Sequence, residues 1–274
     1  MSPGRAEPGL RVAVFGASGR MGRSIVALLA REPGMSLAGA VAAEGDPSLG
    51  QDAGLFAGVE SAGVLVSADS AMALARANVA IDFTLPDASL AHARACRDSG
   101  VPIVIGTTGH DAAGVDELRG VGTSIAVVHA PNMSLGVNLM FKLAELAAQV
   151  LDESYDAEIF EAHHRNKVDA PSGTALRLGV AVAQGRDLSL ERAGVFGRTG
   201  VTGPREPGTI GFSVMRGGDI VGEHRLVFAG PGEQVELRHL AQDRSGFARG
   251  ALRAARWVAS RPPGLYSMLD VLGL

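Results

Sequence analysis

From Leu10 onward, short apolar runs alternate with Ala/Leu-rich stretches of helical period. Leu10–Phe15 reads as a strand, Met21–Arg31 as a helix and Met35–Val41 as a second strand. Val79–Phe83, Pro102–Ile105 and Ser124–His129 are compact apolar runs of the kind buried on both faces of a sheet. Asp69–Ala77, Ala88–Ser99 and Asp111–Arg119 are read as the crossover helices between them. Strictly alternating units need a parallel sheet wrapped by helices on both sides, which predicts an α/β, Rossmann-like doubly wound domain.

The alternation breaks after Met133. Gly136–Val150 reads as a long helix, Ala157–Ala162 as a strand and Ser172–Gln184 as another helix. Thr209–Met215, Asp219–Phe228 and Gln234–Leu240 look antiparallel, with Gly217-Gly218-Asp219 and Gly230-Pro231-Gly232 as turns. A second, inserted α+β domain is therefore expected to begin near Ser134, and the helix Gly246–Ala259 fits either domain.

Composition narrows the class. Of 274 residues, 46% are hydrophobic and 20% charged, enough for a real core. The net charge of -4 carries no basic stripe for nucleic acid. No apolar run reaches the roughly 20 residues that span a bilayer, and Met1–Gly9 is Pro/Gly-rich and polar without a signal-peptide core. The single cysteine, Cys96, forms no intrachain disulfide and is read as a buried apolar side chain, so a reducing cytoplasm is expected.

The first strand runs into Gly16-Ala17-Ser18-Gly19-Arg20-Met21-Gly22. Glycines after a buried strand allow a tight turn and close approach to a pyrophosphate, and the following helix aims its free N–H groups at that charge. The spacing is G-x-x-G-x-x-G, with Ser18 in place of the middle glycine of the common fingerprint. The acidic residue expected at the end of the second strand is missing: Ala42 and Ala43 stand there, and Glu44 comes late. A nicotinamide dinucleotide, NADH or NADPH, is thus expected, with the choice between them open. Gly106-Thr107-Thr108 and Ala130-Pro131-Asn132-Met133 follow later strands, at the sheet edge where such ligands bind.

The densest chemistry is Glu161-Ala162-His163-His164-Arg165-Asn166-Lys167-Val168-Asp169-Ala170-Pro171-Ser172-Gly173-Thr174-Ala175. Two imidazoles and two cations precede a helix start whose N–H groups suit a carboxylate. Such a run would hold a small dianion and supply protons to it near neutral pH. Adjacent histidines on a strand face opposite ways and no cysteine is near, so no metal is expected. Two other readings share the N-terminal pattern: another NAD(P)-dependent amino-acid or hydroxy-acid dehydrogenase, and a dinucleotide-sensing protein without catalysis.

This stretch resembles the signature E-x-H-H-x-x-K-x-D-x-P-S-G-T-A of the 4-hydroxy-tetrahydrodipicolinate reductase (dihydrodipicolinate reductase) family of bacterial lysine and diaminopimelate synthesis. The likeness extends through Gly16–Gly22, Gly106-Thr107-Thr108, Ala130–Asn138, Arg216–His224, Arg244–Ala251 and Gly264–Leu272, nearly the whole chain. It implies a cofactor domain of residues 1–133 plus 241–274, and a substrate and oligomerisation domain of residues 134–240 that builds a homotetramer. It further implies His163 as catalytic acid/base, Lys167 as proton donor, His164 as a substrate contact, and the Gly173 and Thr174 amides as holders of a substrate carboxylate. Gly16, Ala17, Ser18, Gly19, Arg20 and Met21, with the loops at residues 106–108 and 130–133, would line the cofactor. Family members often carry an acidic and then a basic residue where Ala42 and Ala43 stand.

Overall fold

The computed structural model describes residues 9–274. Met1–Pro8, part of the polar lead-in, lie outside the described residues. The described residues divide into two compact units, the first running to Ser134 and resuming over Arg244–Gly273, the second Leu135–Asp243 with Leu274.

The first unit runs β1 (Leu10–Phe15), α1 (Arg20–Leu29), β2 (Met35–Val41), α2 (Ala53–Phe56), β3 (Val66–Ser67), α3 (Ser70–Leu74), β4 (Val79–Asp82), α4 (Pro86–Ser99), β5 (Ile103–Ile105), α5 (Ala112–Gly122) and β6 (Ala126–His129). The second holds α6 (Leu135–Val150), β7 (Asp156–His163), α7 (Gly173–Gly185), α8 (Leu190–Ala193), β8 (Gly194–Val195), β9 (Ile210–Arg216), β10 (Gly222–Gly230) and β11 (Glu233–Ala241). The chain then returns to the first unit as α9 (Ser245–Val258), β12 (Gly264–Tyr266) and α10 (Met268–Leu272).

Seven parallel strands form the first unit's sheet, in the order β12-β6-β5-β4-β1-β2-β3. Every residue of β4 and β5 is buried, as apolar runs covered by helices on both faces should be. Helix boundaries follow elementary signals. Pro86 opens α4 and Gly100, at φ 67°, closes it, while Asp69 and Asp111 cap α3 and α5 with their side chains. The final segment belongs to this unit: α9 lies so close to the loop after β6 that a Cβ on Gly250 would fall 1.7 Å from the Met133 carbonyl oxygen. Strand β12 then extends the sheet beyond β6. Cys96 is fully buried in this core, where burial and the charge of Asp82 push its thiol pKa upward.

The second unit is a five-stranded mixed sheet, β11-β10-β7-β9-β8. It corrects the antiparallel expectation for residues 209–215. Strand β9 pairs in parallel with β7, and β10 pairs antiparallel with β7 from the other side. The glycine turn after Arg216 is therefore no hairpin. It wraps over the end of β7, where Gly217 donates to the His163 carbonyl at 3.0 Å and Arg165 donates to that of Gly218 at 3.2 Å. Ala157 and Ile159 of β7 join Ile210, Phe212, Leu226 and Phe228 in one core with α6 and α7.

Candidate active site

Within the first unit, the strand carboxyl ends surround a cleft of about 520 Å³. Its walls are Gly19, Arg20, Met21, Gly106, Thr107, Thr108, Pro131, Asn132 and Met133, together with Phe83, Thr84, Arg244 and Phe247. The other four sequence candidates build the turns behind it. Gly16 adopts φ +73°, and a Cβ there would meet the Phe83 carbonyl oxygen at 2.5 Å. Ala17 and Ala130 are buried and donate to strand carbonyls. Ser18 donates its hydroxyl to Asp46 at 2.8 Å, so the residue that departs from the glycine fingerprint ties the turn to the loop after β2.

The cleft suits a dinucleotide's phosphates. Helix α1 has Gly19 as its N-cap, with no side-chain cap and no acidic residue in its first turn. Its leading N–H groups and dipole are thus uncompensated by the helix's own side chains. Gly22 packs so tightly that a Cβ would lie 2.1 Å from the Gly16 oxygen, which keeps helix and turn in the close geometry that a pyrophosphate needs.

In the second unit, β7 changes character along one face. Residues 157, 159, 161 and 163 share that face by the two-residue period of a strand; the first two are apolar core and the last two are Glu161 and His163. Register places His224 of β10 opposite Glu161 and Arg216 of β9 opposite His163. Glu161 is 1% exposed and accepts four hydrogen bonds. Arg216 grips both oxygens at 2.7 and 2.8 Å, the Ser172 N–H donates at 2.9 Å, and His163 Nδ1 lies at 2.6 Å. Burial alone would raise the Glu161 pKa, but these bonds together hold it below the usual carboxylate range.

His163 is consequently oriented through Nδ1, which turns Nε2 away from Glu161. Burial lowers its pKa, and the charges of Lys167 and Arg216 add to that effect against the raising pull of Glu161. His224 stands edge-on to His163, with ring centroids 5.2 Å apart, and its Nε2 lies 3.1 Å from the Ser172 hydroxyl. Burial, and then the neighbouring His163, push its pKa down to about 3.

Lys167 pairs with Asp169 at 2.8 Å, and that contact holds the Asp169 carboxyl below its ordinary pKa. His164 follows the end of β7, and its Nδ1 is buried without a hydrogen-bond partner among the described residues. Gly173 and Thr174 open α7, whose N-cap Ser172 turns its hydroxyl to the Ala175 N–H at 3.2 Å. One stretch of chain thus gathers His163, His164, Lys167 and a helix start. Sequence reading assigned no role to Arg216, His224 or Glu161, and the register signal linking them spans more than fifty residues.

The buried imidazoles have a stability consequence. His163 and His224 bind protons more weakly in the fold than in the open chain, so the unfolded state gains protons first as pH falls. Their stabilising contribution is complete above about pH 6.5 and is lost as pH drops through the folded values. Denaturation followed between pH 7 and pH 4 should show stability falling by up to about 1.4 kcal/mol per pH unit for each histidine. His224→Gln should flatten that slope. An unchanged slope would remove His224 from the explanation.

Comparison with known proteins adds the lineage. The family profile described as "Dihydrodipicolinate reductase, N-terminus" matches residues 10–133, and "Dihydrodipicolinate reductase, C-terminus" matches residues 136–272. The chain is 55% identical to the 4-hydroxy-tetrahydrodipicolinate reductase of Thiobacillus denitrificans over 265 residues, covering 97% of this chain and 99% of the relative. It is 54% identical to the enzyme of the same name from Laribacter hongkongensis, over 97% of this chain and 98% of that one. Among solved structures, the dipicolinate-bound dihydrodipicolinate reductase from Paenisporosarcina sp. TG-14 superposes with a TM-score of 0.76 at 26% identity, covering 96% of this chain and 98% of that one. With both halves matched and such identity along nearly its whole length, the chain belongs to the dihydrodipicolinate reductase family.

Proposed function

We propose that this protein reduces 4-hydroxy-tetrahydrodipicolinate to tetrahydrodipicolinate with NADH or NADPH, in the diaminopimelate route to lysine. The observation that carries this reading is the imidazole of His163, anchored by a buried carboxylate and followed within four residues by Lys167. A binding protein that only sensed a dinucleotide has no need of such an arrangement. The names of the relatives point to the same substrate.

In the proposed chemistry, the α7 N-terminus, through the Gly173 and Thr174 amides, holds one substrate carboxylate. His164 contributes through its unpartnered Nδ1. Loss of water leaves a conjugated imine, which accepts hydride at the ring carbon that carried the hydroxyl. Gly19–Met21, Thr107, Thr108 and Asn132 would hold a reduced nicotinamide dinucleotide, which would supply that hydride when bound. Electron density then moves toward the ring nitrogen and the ring carbon adjacent to the one that took the hydride, and His163 Nε2 or Lys167 Nζ delivers a proton there. The two negative charges of the substrate beside His163 raise its proton affinity from the lowered value of the ligand-free protein, which matches the imidazole to its task near neutral pH.

Both reduced cofactors serve in this reading. Ala42 is buried and Ala43 exposed, and neither offers a carboxylate to the ribose or a cation to a 2′-phosphate. Asp46 is already occupied by Ser18 and Ser48. Without a charge-assisted contact to discriminate, kcat/KM for NADH and NADPH should agree within about tenfold. Cofactor oxidation followed with freshly generated substrate, separately with each cofactor, tests the activity and the ratio. No turnover with either would overturn the assignment.

We place the protein in the cytoplasm, in keeping with one buried cysteine in 274 residues; among the described residues no helix is long and apolar enough to cross a membrane. We also infer a homotetramer built on the second unit's sheet. Its helices α6 and α7 cover one face, whereas Met215 and Leu240, about half exposed, lie on the opposite face. Light scattering should read four chains per particle, and a monomer would contradict the inference.

A further inference from the structure

Asp82 ends β4 and is completely buried. A carboxylate is a costly choice for such a place unless several donors converge on it. Four do. The Thr107 hydroxyl donates at 2.5 Å, His92 Nδ1 lies at 2.6 Å, the Thr84 hydroxyl donates at 2.9 Å and the Thr84 N–H at 3.3 Å. The Thr84 N–H also donates to the Thr107 hydroxyl oxygen at 2.8 Å, so the direction of that hydroxyl is fixed from both sides.

These contacts join segments far apart in sequence. Thr84 follows β4, Thr107 follows β5, and both line the cleft of the first unit. His92 comes from α4 and stacks on Phe15, the residue before Gly16, with ring centroids 4.1 Å apart and 12° between planes. One carboxylate thereby fixes the ends of three strands that carry the cleft's loops. An apolar side chain would fill the same volume without needing donors, but it would leave two threonine hydroxyls free to turn.

We infer that Asp82 is a positioning residue for the dinucleotide: it draws the Thr84 and Thr107 hydroxyl protons inward, so that both loops meet the ligand with backbone groups and hydroxyl lone pairs in one fixed arrangement. This rests on the reading that the cleft takes a reduced nicotinamide dinucleotide. The carboxylate touches no reacting atom and acts through the two threonines.

The test is calorimetric titration of the full-length protein with NADH alone, beside steady-state kinetics and a thermal melt. Asp82→Asn keeps the size but removes the negative charge that draws both hydroxyl protons to the shared Oδ1. Its NADH dissociation constant should rise about tenfold or more. KM for the cofactor should follow it, while KM for the dicarboxylate and kcat at saturating cofactor stay within about threefold. Thr107→Val should reproduce the loss, and Thr107→Ser, which keeps the hydroxyl, should bind NADH like the parent. Should Asp82→Asn fail to fold, the threonine pair decides: weak binding by the valine variant alone supports the inference, and equal binding by both overturns it. A parent protein that binds neither NADH nor NADPH removes the reading of the cleft and the inference together. A parent that binds normally, with Asp82→Asn and Thr107→Val indistinguishable from it, removes the inference alone.

Discussion

Replacing His163 or Lys167 with alanine should lower kcat by about 10²- to 10⁴-fold and leave cofactor affinity nearly unchanged. Positioned proton transfer contributes roughly that factor, about 3–5 kcal/mol of barrier. Both side chains lie in the second unit, outside the lining of the cleft that would hold the dinucleotide. Loss of fold is separable from loss of chemistry. The Lys167–Asp169 pair is partly exposed at both ends, and pairs of that kind contribute about 1 kcal/mol or less, so Lys167→Ala should melt close to the parent. Steady-state kinetics with a direct binding titration makes the comparison. If both variants kept full activity, neither side chain would be the proton donor.

The other large effect is expected at Arg216. Its guanidinium bonds both oxygens of Glu161 and the Asp169 carbonyl oxygen. Arg216→Met keeps the apolar stem but strands a carboxylate that is 1% exposed. Breaking a buried pair from one side costs about 3 kcal/mol or more. Amide exchange in β7, β9 and β10 should accelerate about a hundredfold, because those strands open by the free energy lost. Activity should fall as well, since the carboxylate that holds His163 Nδ1 then loses its main partner. Adding Glu161→Gln to the same protein removes the stranded charge and should restore part of the protection. Parent-like exchange in Arg216→Met would show that the pair does not hold this end of the sheet together.

The parallel sheet of the first unit was legible because its strands are short, apolar and buried on both faces, as β4 and β5 illustrate. Strands β3 and β12, of two and three residues, carry too little pattern to be read locally and exist through pairing with β2 and β6. Strand β9 pairs in parallel where the sequence suggests an antiparallel hairpin. Two glycines and an aspartate have the chemistry of a tight turn, but the choice of partner strand is a non-local matter, and β7 had already taken the place between β9 and β10. That same detour brings Arg216 and His224 to either side of Glu161. The contiguous run from His163 to Thr174 could be read directly, whereas partners supplied by register could not. Asp82, Phe83 and Thr84 escaped notice for a related reason, because a four-residue buried strand gives no sign of which end residue bonds a neighbouring loop.

The proposed reaction requires hydride to pass from the cofactor to the ring carbon that loses its hydroxyl. Reduced cofactor carrying deuterium at the transferable C4 position, given with freshly generated 4-hydroxy-tetrahydrodipicolinate, tests this in one product analysis. The expected result is one deuterium at that ring carbon of tetrahydrodipicolinate, formed at the rate of cofactor oxidation and almost abolished in His163→Ala. Product without deuterium, or cofactor that stays reduced in the presence of substrate, would contradict it.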